Sequence, residues 1–168
     1  MKKDNEIKTL GGCLVTTIIV LLLILGGVSK CNSQTYGEIR GGAITNIDGG
    51  GAISAGLTQH INKVSLSALF SAYTLGYGSY DSYDLEAGYM IGNESIMVSP
   101  IVGIGYDNER SFNGMDDGIS LSGGVSAWFS IEGTWIGAGY RVRNGIQTAF
   151  MSVKLPLIFS KNNKHRFF

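Results

Sequence analysis

The chain has 168 residues and a formal net charge of zero, with 25 glycines, 2 prolines and 2 cysteines. This length accommodates one domain, and so few cysteines cannot build a disulfide framework. Between residues 36 and 159 acidic residues outnumber basic ones, so this region lacks the basic stripe that meets phosphates. The composition therefore argues against a disulfide-rich module and against a nucleic-acid partner.

The N-terminal region has the layout of an export signal. Lysines precede an apolar run over residues 13–28, and small polar residues follow it. This order is typical of a secretory signal peptide, so we predict one over residues 1–33, with cleavage after Ser29 or Ser33. An uncleaved inner-membrane anchor is the alternative, because the run approaches the ~20 residues that span a bilayer.

Eight consecutive segments then alternate polar with apolar residues, which is the period of a β-strand with two different faces. Glycine, asparagine or aspartate bounds each segment, as expected for turns. The predicted strands are 36–47, 52–61, 64–75, 83–91, 95–106, 119–131, 134–143 and 147–159. Pro100 cannot donate to a sheet ladder, so we expect a local bulge around it.

The connections between these segments alternate in length. The second, fourth and sixth have two or three residues, whereas the first, third and fifth are longer, and 107–118 is the longest. The last connection, Asn144-Gly145, is a strong signal for a two-residue hairpin. Alternating short turns and long loops, joined to strands near the ~9–11 residues of a tilted span, are typical of transmembrane β-barrels.

The composition of the polar face indicates which face points outward. That face carries mostly Ser, Gly and Thr with few charges, whereas a soluble protein usually carries many Lys, Glu, Asp and Arg there. Small residues fit the narrow interior of an eight-stranded barrel. We therefore predict that the apolar face meets lipid. A soluble periplasmic barrel tethered by residues 10–28 is an alternative, and it requires the apolar face to point inward.

Charged residues of both signs lie on the predicted inward face. Lys154 on the last strand can reach Glu38 on the first, and two acids and two arginines share the upper half of the barrel. Buried charges are tolerated when they are paired and hydrogen-bonded. We therefore predict a closed lumen without a stable pore, with a small polar conduit or gate as the alternative. The predicted network comprises Glu38, Arg40, Asp84, Glu86, Arg141, Arg143 and Lys154.

Over residues 36–159 this pattern resembles the small eight-stranded outer-membrane proteins of Gram-negative bacteria, the OmpX-like and OmpA-barrel-like group. The resemblance implies an all-β, antiparallel, up-and-down transmembrane barrel over residues 34–159, in contact with outer-membrane lipid and lipopolysaccharide. The last strand is similar to the C-terminal signal read by the barrel-assembly machinery. That signal would comprise Met151, Val153, Leu155, Leu157 and Phe159. The chain departs from the group in a basic tail, 160–168.

The sequence shows no catalytic constellation, no cofactor motif and no metal-ligand set. Barrel enzymes that resemble this pattern and act on acyl chains mostly place their histidine toward the outer leaflet. His60 lies at the opposite end, so we expect a hydrogen-bonded lumen residue. The 107–118 loop lacks the glycine placement of a calcium loop. We expect it to face an extracellular ligand through Asp107, Glu109, Arg110, Phe112, Asp116 and Asp117.

Two functions follow from these observations. The first is a non-enzymatic barrel that stabilises the outer membrane or presents the 107–118 loop to something outside the cell. The second is a lipid-modifying barrel enzyme, in which His60 would be the obvious catalytic candidate.

Overall fold

The computed structural model of the protein describes residues 33–76, 78–109 and 118–157. Within these residues the chain forms nine strands. They are β1 (Ser33–Ile44), β2 (Gly51–Ile61), β3 (Val64–Leu75), β4 (Gly78–Tyr89), β5 (Ile91–Gly92), β6 (Ile96–Glu109), β7 (Gly118–Ile131), β8 (Thr134–Arg143) and β9 (Ile146–Pro156). Across the same ranges, no helix is long and apolar enough to cross a membrane.

The sheet closes on itself into a barrel. Neighbouring strands pair antiparallel along the chain, and β1 also pairs with β9, where Glu38 lies opposite Lys154. The two-residue β5 continues β4 alongside β6, so the wall consists of eight long strands. Asn46 strengthens the seam between β1 and β9, because its Nδ2 donates to the carbonyl of Gly145 at 2.8 Å and its Oδ1 accepts from the amide of Gln147 at 2.9 Å. The predicted eight-stranded antiparallel barrel is therefore confirmed.

The tightest turns use backbone conformations with positive φ. Glu132 and Gly133 have φ angles of 50° and 85°, and Asn144 and Gly145 have 44° and 78°. Two consecutive positive φ angles match the right-handed twist of the flanking strands in a two-residue hairpin. The hairpin predicted at Asn144-Gly145 is thus confirmed.

The two ends of the barrel differ in their connections. One end, called the lower end, carries the connections 62–63, 93–95 and 132–133, together with the start of β1 and the end of β9. The other, called the upper end, carries the connections 45–50 and 144–145 and the strand ends that flank residues 76–77 and 110–117.

The outward face of the wall is apolar and exposed. Val102, Leu121 and Val153 are 67%, 71% and 38% exposed, so they do not pack together at the centre of the molecule. Alternate residues such as Ser71 and Ser152 are buried inside the barrel. A continuous apolar wall of this extent is not stable in water, whereas it matches the lipid-facing band of a transmembrane barrel. The predicted orientation of the two faces is confirmed.

The expectation of a bulge at Pro100 is wrong. The register of β6 against β4 continues unchanged against β5, so no residue is inserted into the wall. The pairing lapses instead around Met90, which lies outside both strands and donates its amide to the carbonyl of Lys63 on the other side at 2.7 Å. Pro100 faces this interruption. Because proline has no N–H to donate, the hydrogen-bonded pairing is interrupted there without an inserted residue.

Two strands extend further toward the upper end than their composition predicts. β4 begins at Gly78, although residues 76–82 have the composition of a loop, and β6 continues to Glu109. The two extensions pair with each other, with Tyr80 opposite Glu109. Because strand parity persists over the extension, the side chain of Asp107 points into the barrel.

Candidate functional site

A continuous network of buried ion pairs fills the middle of the lumen. Arg40 Nε lies 2.7 Å from Glu38 Oε1, and Arg40 Nη1 lies 2.7 Å from Glu86 Oε2. From β8, which β9 separates from β1, Arg141 Nη1 lies 2.6 Å from Glu86 Oε1 and 3.5 Å from Asp84 Oδ2. Arg40 on β1 and Arg141 on β8 therefore hold the carboxylate of Glu86 between them across the barrel.

Asp107 extends this network toward the upper end. Its carboxylate pairs with Arg143 on β8, and Asp107 is only 9% exposed. Arg143 also pairs with Asp84, so Asp84 is shared by Arg141 and Arg143. The expectation that Asp107 belongs to an exposed loop is therefore wrong. Extending the alternation of β6 by one more inward position is the signal that identifies it.

Lys154 connects the network to the lower end. Its Nζ lies 3.9 Å from Glu38 Oε2, 3.4 Å from His60 Nε2 and 3.8 Å from the centroid of the Trp128 ring. Glu38 also accepts hydrogen bonds from Ser152 Oγ, at 2.9 Å, and from Thr58 Oγ1. The sequence predicts the contact between Lys154 and Glu38, but an aromatic face and an imidazole also surround the ammonium group.

The charges of the ion-pair network balance. Four basic side chains (Arg40, Arg141, Arg143 and Lys154) meet four carboxylates (Glu38, Asp84, Glu86 and Asp107). Serine and threonine hydroxyls donate to the same carboxylates, as Ser71 Oγ does to Asp84 Oδ2 at 2.8 Å. Removing one partner of such a set leaves an uncompensated buried charge. In the described residues, no group of three or more His, Cys, Asp or Glu could hold a metal ion.

Apolar side chains lie inside the lumen on either side of the ion pairs. Toward the lower end lies a group that we call the lower layer, which consists of Tyr36, Met90, Met97, Trp128 and Trp135 together with His60. Lys154 of the ion-pair network lies against this layer, over the Trp128 ring. Toward the upper end lies the upper cluster of Ile44, Tyr73, Leu75, Tyr80 and Ile146. These groups are not predicted from the sequence, although strand parity places their large side chains inward.

His60 is part of the lower layer. It is 2% exposed, and its ring centroid lies 4.7 Å from that of Tyr36 and 6.4 Å from that of Trp135. Trp135 Nε1 donates to the hydroxyl of Tyr36 at 3.3 Å. The histidine is therefore packed among aromatic rings inside the barrel.

A small cavity separates the lower layer from the ion pairs. Its volume is about 10 Å³, which is close to the minimum that a single water molecule needs. Its lining includes Arg40, Glu86 and Lys154, the hydroxyl of Ser99 and the side chain of Met97. A space of this size cannot carry a hydrated ion through the lumen.

The remaining residues predicted from the sequence are distributed as follows. Met151, Val153, Leu155 and Leu157 are exposed on the outward face of β9 and just beyond it. Glu109 is the last residue of β6. Outside the described residues lie Arg110, Phe112, Asp116, Asp117 and Phe159, together with segment 1–32 of the predicted signal peptide and the tail 160–168.

Comparison with solved structures identifies the fold. The N-terminal β-barrel domain of OprF from Pseudomonas aeruginosa is similar with a TM-score of 0.62 and 14% identity, covering 76% of this chain and 98% of that one. Neisserial surface protein A (NspA) is similar with a TM-score of 0.48 and 14% identity, covering 76% and 96%. No family model and no curated protein matches the sequence. The chain therefore has the fold of the small eight-stranded outer-membrane barrels, as the resemblance predicted.

Proposed function

We propose that this protein is a non-enzymatic β-barrel of the Gram-negative outer membrane, whose lumen is closed and whose upper end faces outward. The observation that carries this proposal is the exposed apolar wall around a charge-balanced ion-pair network. Such an arrangement satisfies the backbone and buries the charges within a lipid layer. We expect the protein in the outer-membrane fraction, migrating faster on gels before boiling than after. Recovery in the soluble periplasmic fraction would contradict the proposal.

The interior network supports a structural rather than a conducting role. The ion pairs cross the lumen between β1, β4, β6, β8 and β9, and the cavity beside them holds about 10 Å³. We expect no steady single-channel conductance from the purified protein in a planar bilayer. Steady openings would favour the alternative of a polar conduit.

A surface role would belong to the connection between β6 and β7. Among the described strands these are the longest, with 14 residues each, and residues 110–117 join them along the chain. Asp107 is excluded from a ligand-binding set because Arg143 already engages it. Deleting residues 112–116 should preserve the heat-modifiable barrel and abolish any adhesion of cells that display it. Asp48→Ala, in the exposed 45–50 connection, is the matched control, and adhesion that survives the deletion would exclude this role.

Lipid, lipopolysaccharide and the barrel-assembly machinery are the partners that this proposal implies. The exposed outward residues of β9 support contact with lipid and present the alternating pattern that an assembly signal needs. The described structure does not favour the lipid-modifying alternative, because His60 is enclosed within the lumen and does not reach the wall's outer surface. Loss of an acyl-transfer or deacylation activity in a His60→Ala variant would restore that alternative.

A further inference from the structure

We propose that the lower layer, rather than the ion-pair network, is the closure that keeps water at the lower end out of the lumen. This inference rests on the closed lumen of the proposed function and identifies the side chains that close it. Three features support it: the ring that these side chains form, the different composition of the upper end, and the cavity above the layer.

The lower layer spans nearly the whole circumference of the barrel. Its members come from β1, β2, β6, β7, β8 and the segment that joins β4 to β5, and Lys154 on β9 lies against it. The long strands β3 and β4 supply none of these side chains. Trp135 and Tyr36 are among the largest fully buried side chains of the described residues, and they are hydrogen-bonded to each other. In a barrel this narrow, interlocked side chains from opposite walls leave no continuous path.

Among the residues that the structure describes at the upper end, no equivalent ring forms. The upper cluster comes from β1, β3, β4 and β9, whereas β6 and β8 supply the ion pair of Asp107 and Arg143 toward the same end. Charged side chains can be hydrated when they fluctuate, but an apolar constriction excludes water until it opens. The lower layer is therefore the more complete barrier of the two.

The cavity of about 10 Å³ makes this barrier testable, because the lower layer forms its floor. Met97 and Trp128 from the layer line the cavity, and Ser99 lines it one inward position above Met97. Removing the Trp135 side chain would place new space beside the Tyr36 hydroxyl, His60 and Lys154. Space with polar neighbours of this kind fills with water, unlike a purely apolar hole.

The experiment measures whether water-borne reagent reaches the cavity. In the full chain, Cys13→Ser and Cys31→Ser remove the two native thiols. Ser99→Cys, at a position that is 2% exposed, then supplies the single thiol. The purified barrel in detergent is treated with a charged methanethiosulfonate reagent, and labelling is followed by mass spectrometry. The same measurement is made after adding either Trp135→Ala in the lower layer or Ile146→Ala in the upper cluster.

We expect slow labelling of the parent thiol, acceleration of roughly tenfold or more with Trp135→Ala, and an unchanged rate with Ile146→Ala, because reaction follows access to the thiolate. If Trp135→Ala does not accelerate labelling, or if Ile146→Ala accelerates it equally, the lower layer is not the closure. Either result would still be consistent with a closed lumen. Fast labelling of the parent thiol would contradict the closed lumen of the proposed function. Heat-modifiable migration establishes folding of each variant, and Tyr36→Ala replaces Trp135→Ala if the latter does not fold.

Discussion

Replacing Glu86 by glutamine tests whether the interior is held together by paired charge. Glu86 is 5% exposed, and its two oxygens lie 2.7 Å from Arg40 Nη1 and 2.6 Å from Arg141 Nη1. In Glu86→Gln the shape is kept, but the ion-pair network holds four cations against three carboxylates. Breaking a buried ion pair on one side costs about 3–5 kcal/mol, so we expect a loss of unfolding free energy in that range.

The assay is equilibrium unfolding by urea in lipid vesicles, monitored by tryptophan fluorescence. Trp128 and Trp135 are both buried in the lower layer, so their emission should shift to longer wavelength when the barrel unfolds. Glu94→Gln is the matched control, because Glu94 is exposed in a lower-end connection, and its effect should stay within about 0.5 kcal/mol.

A double variant separates charge imbalance from lost packing. Arg40→Met added to Glu86→Gln restores equal numbers of cations and carboxylates in the ion-pair network. The two changes should then cost less together than the sum of their separate costs, with a coupling of about 0.5–3 kcal/mol. Strict additivity, or a cost of Glu86→Gln below about 1 kcal/mol, would refute the reasoning that the pairing of buried charges governs stability.

Three further predictions concern the wall and its assembly. A Cβ at Gly105 would overlap Asp84 Oδ1 and Arg143 Nη2, so Gly105→Ala should destabilise the barrel by about 1–3 kcal/mol in the same urea assay. Val102 lies at the middle of β6 and is 67% exposed. Val102→Arg should lower the free energy of unfolding by about 2–4 kcal/mol, measured in vesicles where that position faces hydrocarbon. Phe159→Ala should slow insertion by the assembly machinery, measured as delayed appearance of the heat-modifiable form in pulse-labelled cells.

Each of these has a matched control in the chain. Gly41→Ala places a methyl group where nothing lies within 4 Å and should be close to neutral, so an equal loss at Gly41 and Gly105 would exclude overlap as the cause. Val102→Leu keeps the apolar contact, and a loss as large as that of arginine would argue against lipid at this position. Phe168→Ala should insert at the normal rate, and the opposite result would assign the assembly signal to Phe168.

Much of the fold follows from the period of two, because it is a local property of the chain. Outward positions such as Val102 and Leu121, and inward ones such as Glu38 and Arg141, are placed by counting from any correctly assigned residue in the strand. The contact between Lys154 and Glu38 followed in the same way, because the first and last strands of a closed barrel must pair.

Predictions from the sequence fail where contacts between distant parts of the chain determine the structure. Asp107 stands in a stretch with the composition of a loop, and its pairing with β4 on one side and β7 on the other shows that β6 includes it. The lower layer depends on register: Trp128 fits into the lumen because Gly137 lies opposite it, where a Cβ would contact its ring. Register between strands is a long-range property, and a single sequence does not display it.

The pairing of β1 with β9, which Asn46 reinforces, also means that the chain needs all of its strands to fold on its own. Its hydrogen bonds join residues about a hundred positions apart, so the barrel completes only when its final strand meets its first, which is a slow, high-contact-order event. A fragment lacking β9 would leave two open edges in hydrocarbon. Conversely, the amide of Leu157 donates to the carbonyl of Thr35 at 2.9 Å, so a short linker from residue 157 to residue 33 would permit circular permutants opened at any upper connection.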